Sequence, residues 1–367
     1  MSAPTIAEID LGNLARNACA IRQAVKPARV ICVVKADAYG HGAIPVTRRL
    51  LEHGFDFFAV ARLTEALALR DAGIGAPILI FGRLCPEEIP AALQNDFRIT
   101  IFSAEDLDWI EAARPGEPAS VHVKIDTGMG RVGVLPEGAP ELFTRLAGSR
   151  AVTVEGLYSH FATSDEADLS YARGQLSGFR ELVTAASSAG LRPPLIHMSN
   201  SGGILALPEA NFTAVRPGIL LYGHYPSSAV ARSIPARQVM SLKARVSHLR
   251  SLPAGSSVSY GRTFSAPRPS KIAVMAAGYA DGVDRRMGNR CRVLISGQTF
   301  PIVGRVTMDQ IMADVTGSDV KAGDTALLWG EAPGGSISLL EVSEAIGTIS
   351  YELTCGVGPR VPRVYAG

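Results

Sequence analysis

From the amino terminus to about residue 220, short β-branched runs alternate with longer stretches whose apolar positions recur at helical spacing. A helix is predicted over 11–25 and a strand over 29–34. Further strands are predicted at 57–61, 78–81, 98–102, 120–125, 152–160, 195–198 and 214–216, with helical segments such as 63–72 and 169–188 between them. Eight strands separated by helices predict a (β/α)8 TIM barrel. A doubly wound sheet is disfavoured, because no Gly-x-Gly-x-x-Gly follows the first strand and the repeat count reaches eight.

After about residue 235 the rhythm changes to β runs without long helices, at 240–250, 271–277, 290–295, 298–303 and 325–329, joined by Gly, Pro and Asp. This predicts a smaller all-β C-terminal domain. The expected division is a barrel over 10–235 and a β-rich unit over 236–367 joined by the N-terminal strand 1–9, with the small-residue segment 227–235 as connector.

A barrel carries its chemistry just after the carboxyl ends of its strands. Lys35 ends the first strand and leads into the glycine-punctuated run Ala36 to Gly42. Such a lysine either snorkels from a strand terminus or, desolvated, loses its proton and attacks a carbonyl to form a Schiff base; pyridoxal phosphate is the natural partner for that chemistry. Asp126 to Arg131 follow the fifth strand, His160 ends the sixth, Ser199 to Gly203 follow the seventh, and Arg216-Pro217-Gly218-Ile219 ends the eighth. Ser and Gly after strands seven and eight read either as turns or as donors for a phosphate. On strand five, Val121, Val123 and Ile125 alternate with His122, Lys124 and Asp126. The apolar set is expected to meet the helices, which turns Lys124 inward, to be neutralised by Asp126 or by chemical modification.

Composition narrows the picture. The 367 residues are 47% hydrophobic with a net charge of +2 and no long basic run, which supports two packed domains and argues against nucleic acid as partner. Five scattered cysteines without a Cys-x-x-Cys pair support neither a disulfide framework nor a zinc site. No His-x-His pair lies on the first strand, so no metal is expected. Neither a leader-like amino terminus nor a bilayer-length apolar run is present in the sequence, which makes a cytoplasmic protein with no membrane association the expectation.

Over nearly its whole length the chain resembles alanine racemase, a fold-type III pyridoxal-phosphate enzyme family. The resemblance rests on Val34-Lys35-Ala36-Asp37-Ala38-Tyr39-Gly40-His41-Gly42, Lys124-Ile125-Asp126-Thr127-Gly128-Met129-Gly130-Arg131, Ser159-His160-Phe161-Ala162 and Arg216-Pro217-Gly218-Ile219. In the C-terminal part it rests on Val258-Ser259-Tyr260-Gly261, Gly278-Tyr279-Ala280-Asp281-Gly282, Met308-Asp309-Gln310 and the run Pro359 to Tyr365.

The resemblance implies interconversion of L-alanine and D-alanine by two bases, Lys35, which also holds pyridoxal 5'-phosphate, and Tyr260, which reaches the site from a partner subunit. A homodimer with active sites shared across the interface follows. By the same resemblance Arg216 meets the pyridine nitrogen, to which it donates without transferring a proton, and His160 supports it. Tyr39, Ser201, Gly218, Ile219 and Tyr351 match the phosphate grip, with Asn200 beside it. Arg131 and Met308 match groups that receive the substrate carboxylate or the cofactor's phenolic oxygen, Tyr279 and Tyr351 those that narrow the entrance, and Lys124 a lysine that in many relatives carries a carbamate. A broad-specificity racemase of the same fold is the alternative. A basic amino-acid decarboxylase is disfavoured by Arg216, a metal-dependent hydrolase by the scarcity of histidine ligands, and a cofactor carrier by Tyr260. Supply of D-alanine for peptidoglycan and alanine catabolism are equally compatible with these motifs.

Overall fold

Nine short parallel strands form one sheet in the order Arg29–Val30, Ala214–Val215, Leu195–His197, Val152–Tyr158, Ala119–Lys124, Arg98–Ile101, Ile78–Ile80, Phe58–Val60 and Cys32–Val33. The computed structural model describes residues 3–113 and 116–367. The first and last strands of this order are halves of one segment parted at Ile31. Ile31 donates its N–H to Val215 on one side, whereas Cys32 and Val34 donate to Phe57 and Ala59 on the other. The sheet therefore returns to its own beginning, and eight strand positions make a (β/α)8 barrel.

Alternation along the strands sorts the core into two parts. Val121, Val123 and Ile125 point outward and are fully buried in the main hydrophobic cluster, which also holds helix residues such as Leu107, Phe143 and Phe179. Inside the barrel, Ile31, Phe57, Ala59, Leu79, Leu195 and Ala214 form a separate cluster, drawn from the amino-terminal halves of the strands. Above them the inward positions turn polar, with His122, Lys124, His197 and Arg216 all buried.

The second unit is an antiparallel sheet organised on the long strand Met240–Leu252. Thr5–Asp10 pairs antiparallel with that strand and parallel with Arg363–Ala366, so both chain ends are stitched to the same place. On one face of the long strand Met240, Leu242, Ala244 and Val246 are fully buried. Each of the larger side chains among them contributes about 1.5–3 kcal/mol through removal from water. The unit also carries two helices that the β pattern does not predict. Leu339–Ile346 is capped by the Ser338 hydroxyl and ends at Gly347 in a left-handed conformation (φ 73°). Ser350–Cys355 follows it and packs against the segment Lys35–Gly40 at the barrel mouth.

Candidate active site

The segment after the first strand takes an unusual backbone. Ala36, Asp37, Ala38 and Tyr39 all have φ of 53–54°, a left-handed turn built from residues other than glycine. This conformation costs about 1–2 kcal/mol per residue. Several contacts hold it in place. Glu65 accepts the Ala36 N–H at 2.7 Å, the Asp37 carboxylate accepts the Ala43 N–H at 2.7 Å, and His41 Nδ1 sits 2.9 Å from the carbonyls of both Ala38 and Tyr39. A Cβ on Gly40 (φ 81°) would fall 2.2 Å from the Thr354 carbonyl, so only glycine admits helix Ser350–Cys355 this close. The turn swings Tyr39 under the barrel mouth, its ring 4.9 Å from that of Tyr222 and 6.0 Å from that of Tyr351.

One cavity of about 410 Å³ opens at the carboxyl ends of the strands. Lys35, Tyr39, Lys124, Arg131, His160, Asn200, Ser201, Arg216, Gly218, Ile219 and Tyr351 all line it. Val33, Phe81, Met129, Val132, Tyr158 and Ile349 line it too, and the sequence reading did not single them out. Tyr158 ends the observed strand, two residues before the predicted end at His160. Ile349 arrives with the unforeseen helix.

Arg216 is gripped from below and behind. Its Nη1 donates to His197 Nδ1 at 2.7 Å and to the His197 carbonyl at 2.9 Å; its Nη2 donates to the carbonyls of Ser159 and Met198 at 2.7 and 3.0 Å and lies 3.3 Å from His160 Nδ1. The four terminal N–H groups are consumed, which leaves Nε–H as the donor for whatever occupies the cavity. Burial lowers the Arg216 pKa to about 10, against an opposing pull from Tyr158, so the guanidinium stays charged at neutral pH. The Tyr158 ring lies 5.1 Å beneath it and stacks on His197 at 4.8 Å.

Both lysines are pushed toward the neutral amine. For Lys35 burial comes first, with repulsion from Arg131 and Arg216 added and Glu65 and Cys355 opposing. Lys124 is 2% exposed, and burial with repulsion from Arg216 and Arg131 lowers it to about 7, Asp126 opposing. The direct ion pair with Asp126 is not made: among the described residues Lys124 has no carboxylate partner within ion-pair distance, and its Nζ donates to the Ile125 carbonyl at 2.6 Å. Asp126 is occupied elsewhere. Its two oxygens accept the N–H groups of Gly128, Met129, Gly130 and Arg131 at 2.8–3.2 Å, which folds the loop that carries Arg131. Burial alone would raise the Asp126 pKa, but these donors outweigh it and hold the carboxyl below its ordinary range.

At the other side of the mouth, the Ser201 hydroxyl accepts the N–H groups of Gly218 and Leu220 at 3.1 and 3.2 Å. Asn200 caps helix Ser201–Ala206 through the Gly203 N–H, which leaves the amides of Ser201 and Gly202 without an intrahelical acceptor. A Cβ on Gly218 would lie 2.3 Å from the Tyr39 hydroxyl, so this glycine is required by close approach. A hydroxyl, amides and a phenol thus converge on a small cradle suited to an anion.

Tyr260, Tyr279 and Met308 lie elsewhere. They sit on the β unit, 72%, 46% and 53% exposed, and none lines this cavity within one chain. Tyr260 borders a separate groove with Thr307 and Gln310, on a turn where Ser259 adopts φ 64°. Tyr279 and Met308 are held together by backbone bonds from Tyr279 to Thr307 and from Ala280 to Met308, both 3.0 Å. No group of three metal-ligating side chains occurs among the described residues, and no helix among them is long and apolar enough to cross a membrane.

A barrel with two buried lysines of lowered pKa and a fixed arginine around one mouth suited to an anion defines a small-molecule enzyme of the barrel-plus-β-unit class. Models of the alanine racemase N-terminal and C-terminal domains match residues 9–226 and 239–365. The alanine racemase of Methanococcus maripaludis is 43% identical over 100% of this chain and 99% of its own length, and alanine racemase 2 of Caldanaerobacter subterraneus is 42% identical over 99% and 95%. The crystal structure of alanine racemase from Streptomyces lavendulae superimposes with a TM-score of 0.95 at 35% identity, covering 100% of this chain and 97% of that one. The chain belongs to the alanine racemase family, whose members are isomerases.

Proposed function

We propose that this chain interconverts L-alanine and D-alanine with pyridoxal phosphate as cofactor, in a homodimer whose sites are completed by the partner subunit's Tyr260. The observation that carries the reading is the convergence of Lys35, Arg216 and the Ser201 cradle on one cavity, while Tyr260 stands exposed outside it. The cradle suits a phosphate because its donors are a hydroxyl, a phenol and helix-end amides, and because a Cβ at Gly218 would fill it. Arg216 offers its unused Nε–H to a ring acceptor.

When bound, pyridoxal phosphate supplies a conjugated electron sink that acidifies the alpha C–H. Lys35, its pKa lowered by burial and by Arg131, takes or returns the alpha proton on one face. The partner subunit's Tyr260 serves the opposite face. Arg216, charged and donating only, orients the ring nitrogen without protonating it, which favours proton return over transamination. Arg131 receives the carboxylate from the Asp126-organised loop, with Met308 of the β unit beside it, and Tyr351 and Tyr279 restrict the entrance. Exposed Tyr260, Tyr279 and Met308 form the kind of apolar surface a partner covers. The reading divides the chain into a cofactor-binding barrel over 10–235 and a β unit over 236–367, in a cytoplasmic enzyme serving peptidoglycan supply or alanine catabolism.

The test is direct. Purified protein loaded with pyridoxal phosphate should lose optical activity from either alanine enantiomer, and borohydride should fix the cofactor on Lys35. Failure of both enantiomers while serine, lysine or arginine racemises would move the substrate to a broad-specificity racemase. Failure to bind the cofactor would overturn the reading altogether.

A further inference from the structure

Barrel interiors are normally filled by apolar layers. Here a file of polar side chains runs down the axis from the cavity floor. His197 Nδ1 meets Arg216, His197 Nε2 lies 2.8 Å from His122 Nδ1, and His122 Nε2 lies 3.2 Å from Glu155 Oε2. The same Glu155 oxygen accepts Arg98 Nε at 3.2 Å near the opposite end of the barrel. Both histidines are completely buried, whereas Glu155 retains 21% side-chain exposure.

The ends of this file dictate its middle. An arginine can only donate and a carboxylate can only accept. His197 Nδ1 must therefore be bare and its proton must sit on Nε2. That proton is donated to His122 Nδ1, so His122 also carries its proton on Nε2 and donates it to Glu155. A second proton on either ring would set two donors face to face. Burial, the main cause, lowers the pKa of both imidazoles, in agreement with neutral rings.

A second observation shows that the seat is built for this purpose. Between the strands Ala119–Lys124 and Val152–Tyr158, Val121 pairs with Val154 and His122 with Gly156, so Glu155 is an extra residue in a bulge. Bulges re-aim side chains near functional sites. The next residue completes the seat: a Cβ on Gly156 would lie 2.2 Å from His122 Nδ1.

We propose that Glu155 is a positioning residue for the reaction, fixing one tautomer in His122 and His197 and thereby holding Arg216 with its Nε–H toward the cavity. The inference rests on the proposed role of Arg216. Its structural half stands apart from the cofactor and is tested on the protein by ¹⁵N NMR of labelled histidine. In the wild type both imidazoles are expected to show a protonated Nε2 and a bare Nδ1 at neutral pH. Glu155→Leu should bring Nδ1–H forms into both rings and lower kcat about tenfold, the scale on which outer partners of a site residue act, with KM for alanine changed less than about twofold. Glu155→Gln keeps a carbonyl acceptor and should restore both the tautomers and kcat.

A wild-type spectrum with a proton on either Nδ1 overturns the proposal without need of a variant, which also covers the case in which Glu155→Leu does not fold. Unchanged tautomers or unchanged kcat in a folded Glu155→Leu protein overturn it as well. Fixed tautomers in a protein that binds no cofactor would instead retire the functional reading and Glu155's part in it.

Discussion

Lys124 should accept carbon dioxide, and its environment sets how readily. Carbamylation needs the free amine, because the nitrogen lone pair forms the new N–C bond and a proton leaves. With its pKa lowered from 10.5 to about 7, the side chain is roughly three-quarters neutral at pH 7.5, against about one part in a thousand for an ordinary lysine. The product places an anion beside Arg216 and Arg131 where the amine offers them none, and it answers a need that Asp126 cannot meet while its oxygens hold the loop. One charge-assisted hydrogen bond to Arg131 is worth about 1.5–3 kcal/mol, so its loss should cost about 10–100-fold in kcat/KM. The assay is ¹³C NMR with labelled bicarbonate at pH 8, paired with intact mass and alanine kinetics in carbon dioxide-free buffer. Incorporation should vanish in Lys124→Ala and fade as the pH falls below about 7, where the amine is protonated. If no label enters and depletion leaves the kinetics untouched, Lys124 is held by burial alone and the argument fails.

Lys35→Ala and Tyr260→Phe should each lower racemisation by about 10²–10⁴, yet co-assembled chains should recover about a quarter of wild-type activity, because half of random dimers carry one intact shared site. No recovery in verified mixed dimers would mean that Lys35 and Tyr260 serve the same chain or do not cooperate. In acid, buried His41 and His224 should act on stability: burial holds them at about 4 and about 3, from 6.5, so they favour folding above pH 6.5 and that contribution is lost as pH falls. Between pH 7 and 5 each should cost about 2 kcal/mol, and denaturant unfolding that stays constant across this range would refute it.

The barrel was legible because its strands obey a period of two and its helices supply the intervening pattern. Lys35, Lys124 and Arg216 stood out because each places a cation where an apolar strand ends. Other features were not legible, for identifiable reasons. Four consecutive residues in a left-handed turn run against the local preferences of Ala36, Ala38 and Tyr39, and contacts from Glu65, Asp37, His41 and the helix Ser350–Cys355 make that turn tolerable. The strand predicted to reach His160 stops at Tyr158, and the bulge at Glu155 hides in a run that reads as regular alternation. Ile349 and Tyr351 needed a helix that a β-rich composition conceals. Tyr260 had no chemical signal of its own, since its meaning depends on a second chain.

The charge balance around the cavity explains why so much of the molecule is devoted to holding it. Lys35, Lys124, Arg131 and Arg216 face one volume, and the nearby carboxylates of Glu65 and Asp126 are committed to backbone N–H groups. Burial and mutual repulsion lower the pKa of both lysines, the direction that a base requires. The same imbalance favours ligands that bring negative charge, in keeping with the proposed phosphate at the Ser201 cradle and carboxylate at Arg131. Arg216 stays charged even where burial lowers its pKa to about 10, so it must be restrained by hydrogen bonds. Four of them run to His197, Ser159 and Met198, and the file through His122 to Glu155 carries part of that restraint away from the cavity to the far end of the barrel.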